Sequence, residues 1–337
     1  MRDHSIDILR SIGLLMIILA HVGPPGLVFQ LRNFDVPLMV LISGMAFGLR
    51  YKSNSQERYR TYIWKRIKRL VFPVWIFLTV YFLCQRIFIT MPNLSSVLNS
   101  YLFMGGVGYF WIIKVFILVA LVSPILYRYH KRTDSNRHYF IVWVFFLLSY
   151  ELLRYLTLPY IGDGIGENIS QLTHYIIPYS AIFAIGLRLP SLQTKAILIM
   201  IVVSFGTFCS IAVVLWSGSG GFVPTQAFKY PPSIYYFSYA LFVTSILWAY
   251  RGWLEDFITM AKIKKPILSI GQNSIWMYLW HIPLVGLVSG NFIIKYLIVV
   301  FTSFALTMMQ VRVVSSLSSR KSLSIRTQKN MKILFTG

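Results

Sequence analysis

At 337 residues, 56% hydrophobic and only 12% charged, the chain is too apolar for a water-soluble domain and reads as a polytopic membrane protein. Its net charge of +22 raises the question of a nucleic-acid partner, but the basic residues are distributed loop by loop. Cys84 and Cys209 have the spacing of neither a disulfide framework nor a metal site.

Runs of membrane-spanning length are predicted near 5–23, 34–50, 70–90, 107–128, 139–158, 172–189, 195–217, 233–250, 272–289 and 292–312. The expected fold is therefore all-α, with about ten transmembrane helices. The first run, SIDILRSIGLLMIILAH, has no basic leader and no small-residue cleavage site, so it reads as a retained span. It carries three ionisable residues, Asp7, Arg10 and His21. Arg10 and His21 are eleven positions apart, close to three helical turns, so they share one face and lie about 16 Å apart along the axis. Asp7 sits one turn before Arg10 and can pair with it. Ionisable groups are costly in hydrocarbon, so this stripe is expected to line a polar cavity.

Arg50, Lys52, Arg58, Arg60, Lys65, Arg66, Lys68 and Arg69 crowd the connection between spans two and three. Arg128, Lys131, Arg132 and Arg137 follow span four, and Arg188 and Lys195 bracket the turn after span six. Arg251, Lys262, Lys264 and Lys265 follow span eight, and a basic tail, 316–337, closes the chain. The alternate loops hold almost no basic residues: 91–108 is uncharged, and 159–171 has only Asp163 and Glu167. This alternation places both termini and every basic loop in the cytoplasm. The positive charge then serves topology and contact with anionic membrane lipids, which argues against a nucleic-acid partner. Glycines and prolines mark 216–233 as an outer loop, and 252–266 is expected along the inner membrane surface. Lys229, Tyr230, Tyr235 and Tyr236 are expected at the outer surface, where aromatic rings stack on sugars or anchor helices. Glu151 and Arg154, one turn apart, read as a structural ion pair, while Arg86, Lys114 and His174 are candidates for an outer vestibule.

RSIGLLMIILAH, with an arginine and a histidine separated by ten residues in the first span, resembles the acyltransferase family 3 membrane proteins. FDVPLMVLISG at 34–44, KRIKRLVFP at 65–73 and IGQNSIWMYLWHIPL at 270–284 match further family patterns in the same order. The fourth span keeps Trp111 and Pro124 but carries Phe116 where many members have an acid. Asp35 likewise stands where others often carry a different polar residue. The resemblance covers residues 5–284 and implies a membrane-embedded acyltransferase domain, 1–315, in a bacterial cytoplasmic membrane. It implies transfer of an acyl group, acetyl above all, from cytoplasmic acyl-coenzyme A to a hydroxyl of a cell-surface or lipid-linked glycan, without a metal.

A hydroxyl is a weak nucleophile and needs a base, for which His21 is the first choice, as base or as transient acyl carrier. His281 is either a partner base or a buried hydrogen-bonded residue, and Arg10 and Asp7 are assigned to the donor or to holding the cavity. Arg66 and Arg69, one turn apart at the cytoplasmic end of span three, suit the phosphates of coenzyme A. Asp35, Trp111, Lys229 and Tyr230 are the residues expected to meet the acceptor. A transporter is the alternative, but it would call for paired repeats and interrupted helices at mid-membrane, and no clear repeat is present.

Overall fold

The protein is described by a computed structural model covering residues 3–53, 58–88, 91–319 and 323–336. Residues 320–322, within the predicted basic tail, lie outside the described residues. In chain order the helices are α1 His4–His21, α2 Gly26–Leu31, α3 Asp35–Ser53, α4 Tyr59–Phe88, α5 Leu94–Tyr101, α6 Trp111–Arg132, α7 Asn136–Thr157 and α8 Gly164–Arg188. They continue as α9 Thr194–Ser219, α10 Ile234–Ala249, α11 Arg251–Met260, α12 Lys264–Gln272, α13 Ser274–Leu287, α14 Phe292–Ser318 and α15 Ile325–Phe335. Among the described residues there is no strand, as an all-α polytopic protein requires.

Eight helical segments are long and apolar enough to cross a bilayer, and α10 and α13 add two shorter apolar helices. These ten correspond to the ten predicted runs. Side-chain caps start many of them: Asp3 accepts from the Ser5 amide, Ser135 from His138, Ser233 from Tyr236 and Asn291 from Ile293. Gly220, at a φ of 72°, ends α9 in the left-handed conformation glycine tolerates.

Two local features depart from the sequence reading. Segment 252–266 is not one surface helix; the chain turns at 261–263, with Lys262 at a φ of 57°, and begins α12, which packs on α1. The uncharged outer loop 91–108 contains a short helix, α5, capped by Asn93.

α3 and α8 form the centre of the bundle. The spans containing them are 72% buried, against 11% for α9 and 17% for α14, which face outward into lipid. Two glycines allow α3 and α8 to touch backbone to backbone. A Cβ on Gly44 would stand 2.2 Å from the Phe183 carbonyl oxygen, and one on Gly186 would stand 2.1 Å from that of Leu41. Small residues at such crossings are how membrane helices gain close packing where apolar lipid gives no hydrophobic drive. α1 packs on the other side of α3 and also against α12, α13 and α14.

On the side carrying the basic connections, His4 meets Glu255 of α11, and Lys68 of α4 meets Asn330 of α15. α15 is held at its end by two side-chain donors: Trp276 bonds the Leu334 carbonyl at 2.9 Å, and Gln310 bonds that of Phe335 at 2.7 Å. Trp280 in turn donates to Gln310 at 2.8 Å.

Gly186→Ala is expected to force α3 and α8 apart and cost roughly 1–3 kcal/mol, the usual range for overpacking. Gly206→Ala on lipid-facing α9, where a Cβ meets nothing within 4 Å, should leave stability unchanged or slightly raised. Thermal unfolding of the two variants in detergent separates them; equal midpoints would mean that the α3–α8 contact does not limit stability.

Candidate active site

A cavity of about 560 Å³ opens between α1, α3, α4, α6 and α13. At the end nearest the basic connections it is lined by Asp3, Arg50, Arg66 and Arg69, and further in by Asp7, Arg10 and Gln272. Its far end is apolar, made by Leu14, Ile17, Ile112, Ile113 and Tyr278. Arginines therefore gather at the mouth, and hydrocarbon walls lead inward to the first turn of α6.

The charge stripe in α1 is held as its spacing requires. Arg10 Nη1 donates to Asp7 Oδ1 at 2.9 Å, with Asp7 almost completely buried. α12 approaches this pair closely because position 271 is glycine; a Cβ there would come within 2.2 Å of the Asp7 carbonyl oxygen. That approach brings the Gly271 carbonyl to 3.5 Å from Arg10 Nη1 and the Gln272 amide to 3.4 Å from Asp7 Oδ2. Ser11 completes the junction by donating to the Ile267 carbonyl at 2.6 Å. On α4, Arg66 Nε donates to the Tyr62 hydroxyl at 3.2 Å.

One turn beyond Ile17, at the outer end of α1, His21 reaches α13. Its Nδ1 lies 2.8 Å from His281 Nε2, with the rings stacked at 5.1 Å, and the edge of Tyr109 packs against His21 at 4.5 Å. His281 is fully buried, and its Nδ1 is hydrogen-bonded to the Tyr278 carbonyl oxygen. A carbonyl only accepts, so His281 Nδ1 carries the proton and, in the neutral ring, Nε2 is bare. Nε2 must then accept from His21 Nδ1–H, which leaves the lone pair of His21 on Nε2. The hydrogen-bond chain thus sets both tautomers. Tyr278 also donates its hydroxyl to the Tyr109 carbonyl, so the residue at the cavity floor braces the dyad and the loop before α6.

Beyond the dyad lies a buried polar cluster. Arg32 Nη1 donates to Asp35 Oδ2 at 2.8 Å, and Lys229 Nζ reaches Asn33 Oδ1 at 3.2 Å and Asp35 Oδ1 at 3.4 Å. Asn33 donates to Thr225 at 2.8 Å, and the Val36 amide donates to Asp35 Oδ1 at 2.8 Å. Arg32 and Lys229 lie close enough to His21 to act on it electrostatically. Burial pushes the Lys229 ammonium down to about 8, with Asp35 opposing that fall and Arg32 adding to it. Aromatic rings of Trp111, Tyr230 and Tyr236 surround Nζ at 5.5–5.8 Å.

The sequence expectation that Lys229, Tyr235 and Tyr236 lie at the outer surface is corrected here, since all three are buried and only Tyr230 is exposed, at 50%. The reason is that α7 draws the outer loop inward. Tyr150 donates to the Pro232 carbonyl at 2.6 Å, Arg154 to that of Pro231 at 3.2 Å, and Glu151 accepts from the Ile234 amide at 2.7 Å. The Glu151–Arg154 pair, 2.8 Å long, thus does form and it also anchors the loop. Lys114 is buried against Gln171 and His174 is bonded to Thr157, so both are engaged in helix packing.

The predicted residues fall into three connected groups: Asp7, Arg10, Arg66 and Arg69 around the cavity, His21 and His281 in the dyad, and Asp35, Trp111, Lys229 and Tyr230 at the outer cluster. Sequence reasoning missed Arg32, Asn33 and Tyr109 as site residues. Arg32 was discoverable, since it stands three residues before Asp35, the same spacing as Asp7 and Arg10. Tyr109 lies in a single 3-10 turn, Gly108–Phe110, before α6 and gave no signal of its own. Among the described residues no group of three metal-ligating side chains gathers.

Neither a curated protein nor a solved structure matches the chain. Residues 3–312 match the family model of the acyltransferase domain, which spans every helix that lines the cavity and carries the dyad; the chain therefore belongs to the acyltransferase family 3 and is a membrane acyltransferase.

Proposed function

We propose that this acyltransferase moves an acetyl group from acetyl-coenzyme A, bound from the cytoplasmic side, to a hydroxyl of a cell-surface or lipid-linked glycan presented from the outer side. The observation that carries the reading is the cavity with arginines at its mouth and its apolar floor at Tyr278, the residue that braces the His21–His281 dyad. Phosphates suit the guanidinium groups of Arg66 and Arg69, and an extended thioester arm suits the apolar walls. Arg10, locked to Asp7, is about 16 Å from His21 along α1 and serves the donor's passage rather than the reacting carbonyl.

In the reaction, the acceptor hydroxyl gives its proton to His21 Nε2 while its oxygen bonds to the thioester carbon. The carbon–sulfur bond then breaks, and the departing sulfur takes the proton back from His21. The products are the glycan ester and free coenzyme A. His281 is a positioning residue, because its Nε2 accepts the His21 Nδ1 proton and so keeps the reactive nitrogen bare.

His21→Ala should lower acetyl transfer by about 10²-fold or more, the usual scale for loss of a general base. The variant should remain monodisperse in detergent. Transfer at the wild-type rate, or no release of coenzyme A by the wild-type protein with any surface glycan, overturns the reading.

Arg66→Ala and Arg69→Ala should each raise the apparent KM for acetyl-coenzyme A by roughly 10- to 100-fold, as expected for a charge-assisted hydrogen bond of about 1.5–3 kcal/mol. The acceptor KM should stay constant. An unchanged donor KM at normal expression returns both arginines to a purely topological role.

A further inference from the structure

The outer cluster has a charge imbalance that its internal bonds do not remove. Two cations, Arg32 and Lys229, share one anion, Asp35, and their side chains are each about 3% exposed. The acid of neighbouring α7, Glu151, is already paired with Arg154 at 2.8 Å. Arg32 uses Nη1 on Asp35 and Nη2 on Gln226, yet its Nε is buried with no hydrogen-bond partner. Burying an uncompensated charge and an unbonded donor is costly, and native structures rarely leave either standing. The burial-driven fall of the Lys229 ammonium to about 8 is a second sign of the same deficit. An arriving anion would relieve all three.

The cluster is also placed to receive one. It lies on the outer side, beside the exposed ring of Tyr230 and within electrostatic reach of His21. Trp111 and Tyr230 meet edge to face at 5.1 Å and both flank Lys229, giving flat apolar walls of the kind that pack on sugar rings.

Resting on the acyl-transfer reading above, we infer that the acceptor is an acidic glycan, whose carboxylate or phosphate occupies the Arg32–Lys229 cluster while a neighbouring hydroxyl meets His21. The cluster selects the acceptor by charge and fixes which hydroxyl faces the base. Neutral sugars leave the cationic excess and the Arg32 Nε–H unmatched, so they bind less well.

The test is thermal unfolding of the full chain in detergent, without coenzyme A and at fixed ionic strength. It is titrated with methyl glucoside, methyl glucuronide and glucose 6-phosphate. At least one anionic sugar should stabilise the protein at a concentration roughly tenfold or more below the neutral one. Which anion does so separates a sugar carboxylate from a phosphate. Lys229→Met should abolish the preference and Lys229→Arg should restore it. Asp35→Asn, which removes the carboxylate that Arg32 and Lys229 share, should strengthen it. Opposite effects of Lys229→Met and Asp35→Asn cannot come from general misfolding, and dependence on Lys229 excludes binding at the donor-side arginines. Equal response to all three sugars, no response to either anion, or a preference that survives Lys229→Met overturns the inference. Cleavage of acetyl-coenzyme A, followed separately, reports on the acyl-transfer reading alone. Its absence alongside an intact anion preference rejects that reading and leaves the anion site standing.

Discussion

Hydrocarbon offers no partner to a charge, and the arrangement of this bundle follows from where its charges find partners instead. Asp7 and Arg10 pair within one turn of α1 and draw in the end of α12. Glu151 and Arg154 pair within α7 and capture the outer loop. Arg188, at the end of α8, closes on Asn136 and on the carbonyl of Thr133. Each pair alone contributes little net stability, because desolvation cancels most of the attraction. Their value here is geometric: each fixes one helix end or loop relative to a neighbour. The active-site groups inherit that fixity.

The same rule separates the two ends of the site. The cavity has its cations at the mouth, and its floor is apolar. The outer cluster has its cations buried. Between them stands the dyad, in which a single backbone carbonyl sets the proton positions of two imidazoles. That carbonyl belongs to Tyr278, one turn before His281 on α13, so the helix itself supplies the device.

The sequence carried most of this architecture because spans and charged loops are written in composition, which needs no knowledge of contacts. The ten crossings, the α1 stripe and the arginines of α4 were readable for that reason. Partnership across the bundle was not. Nothing local to His21 announces His281, 260 positions away, and the matching polarity of two helices emerges only when they pack. Lys229 was misplaced for a similar cause: a lysine in a proline-rich loop looks exposed until Tyr150 and Arg154 pull that loop inward.

The capture of α15 bears on how the protein can be handled. Its last carbonyls are held by Trp276 directly and by Trp280 through Gln310, and these two tryptophans precede His281 on α13. A reporter fusion or affinity handle that strains α15 would therefore pull on the helix bearing the dyad. Its cost would appear as lost turnover rather than lost yield. Handles are better inserted in the loop after α9 near Gly220 and Gly221, where a Cβ would meet nothing within 4 Å.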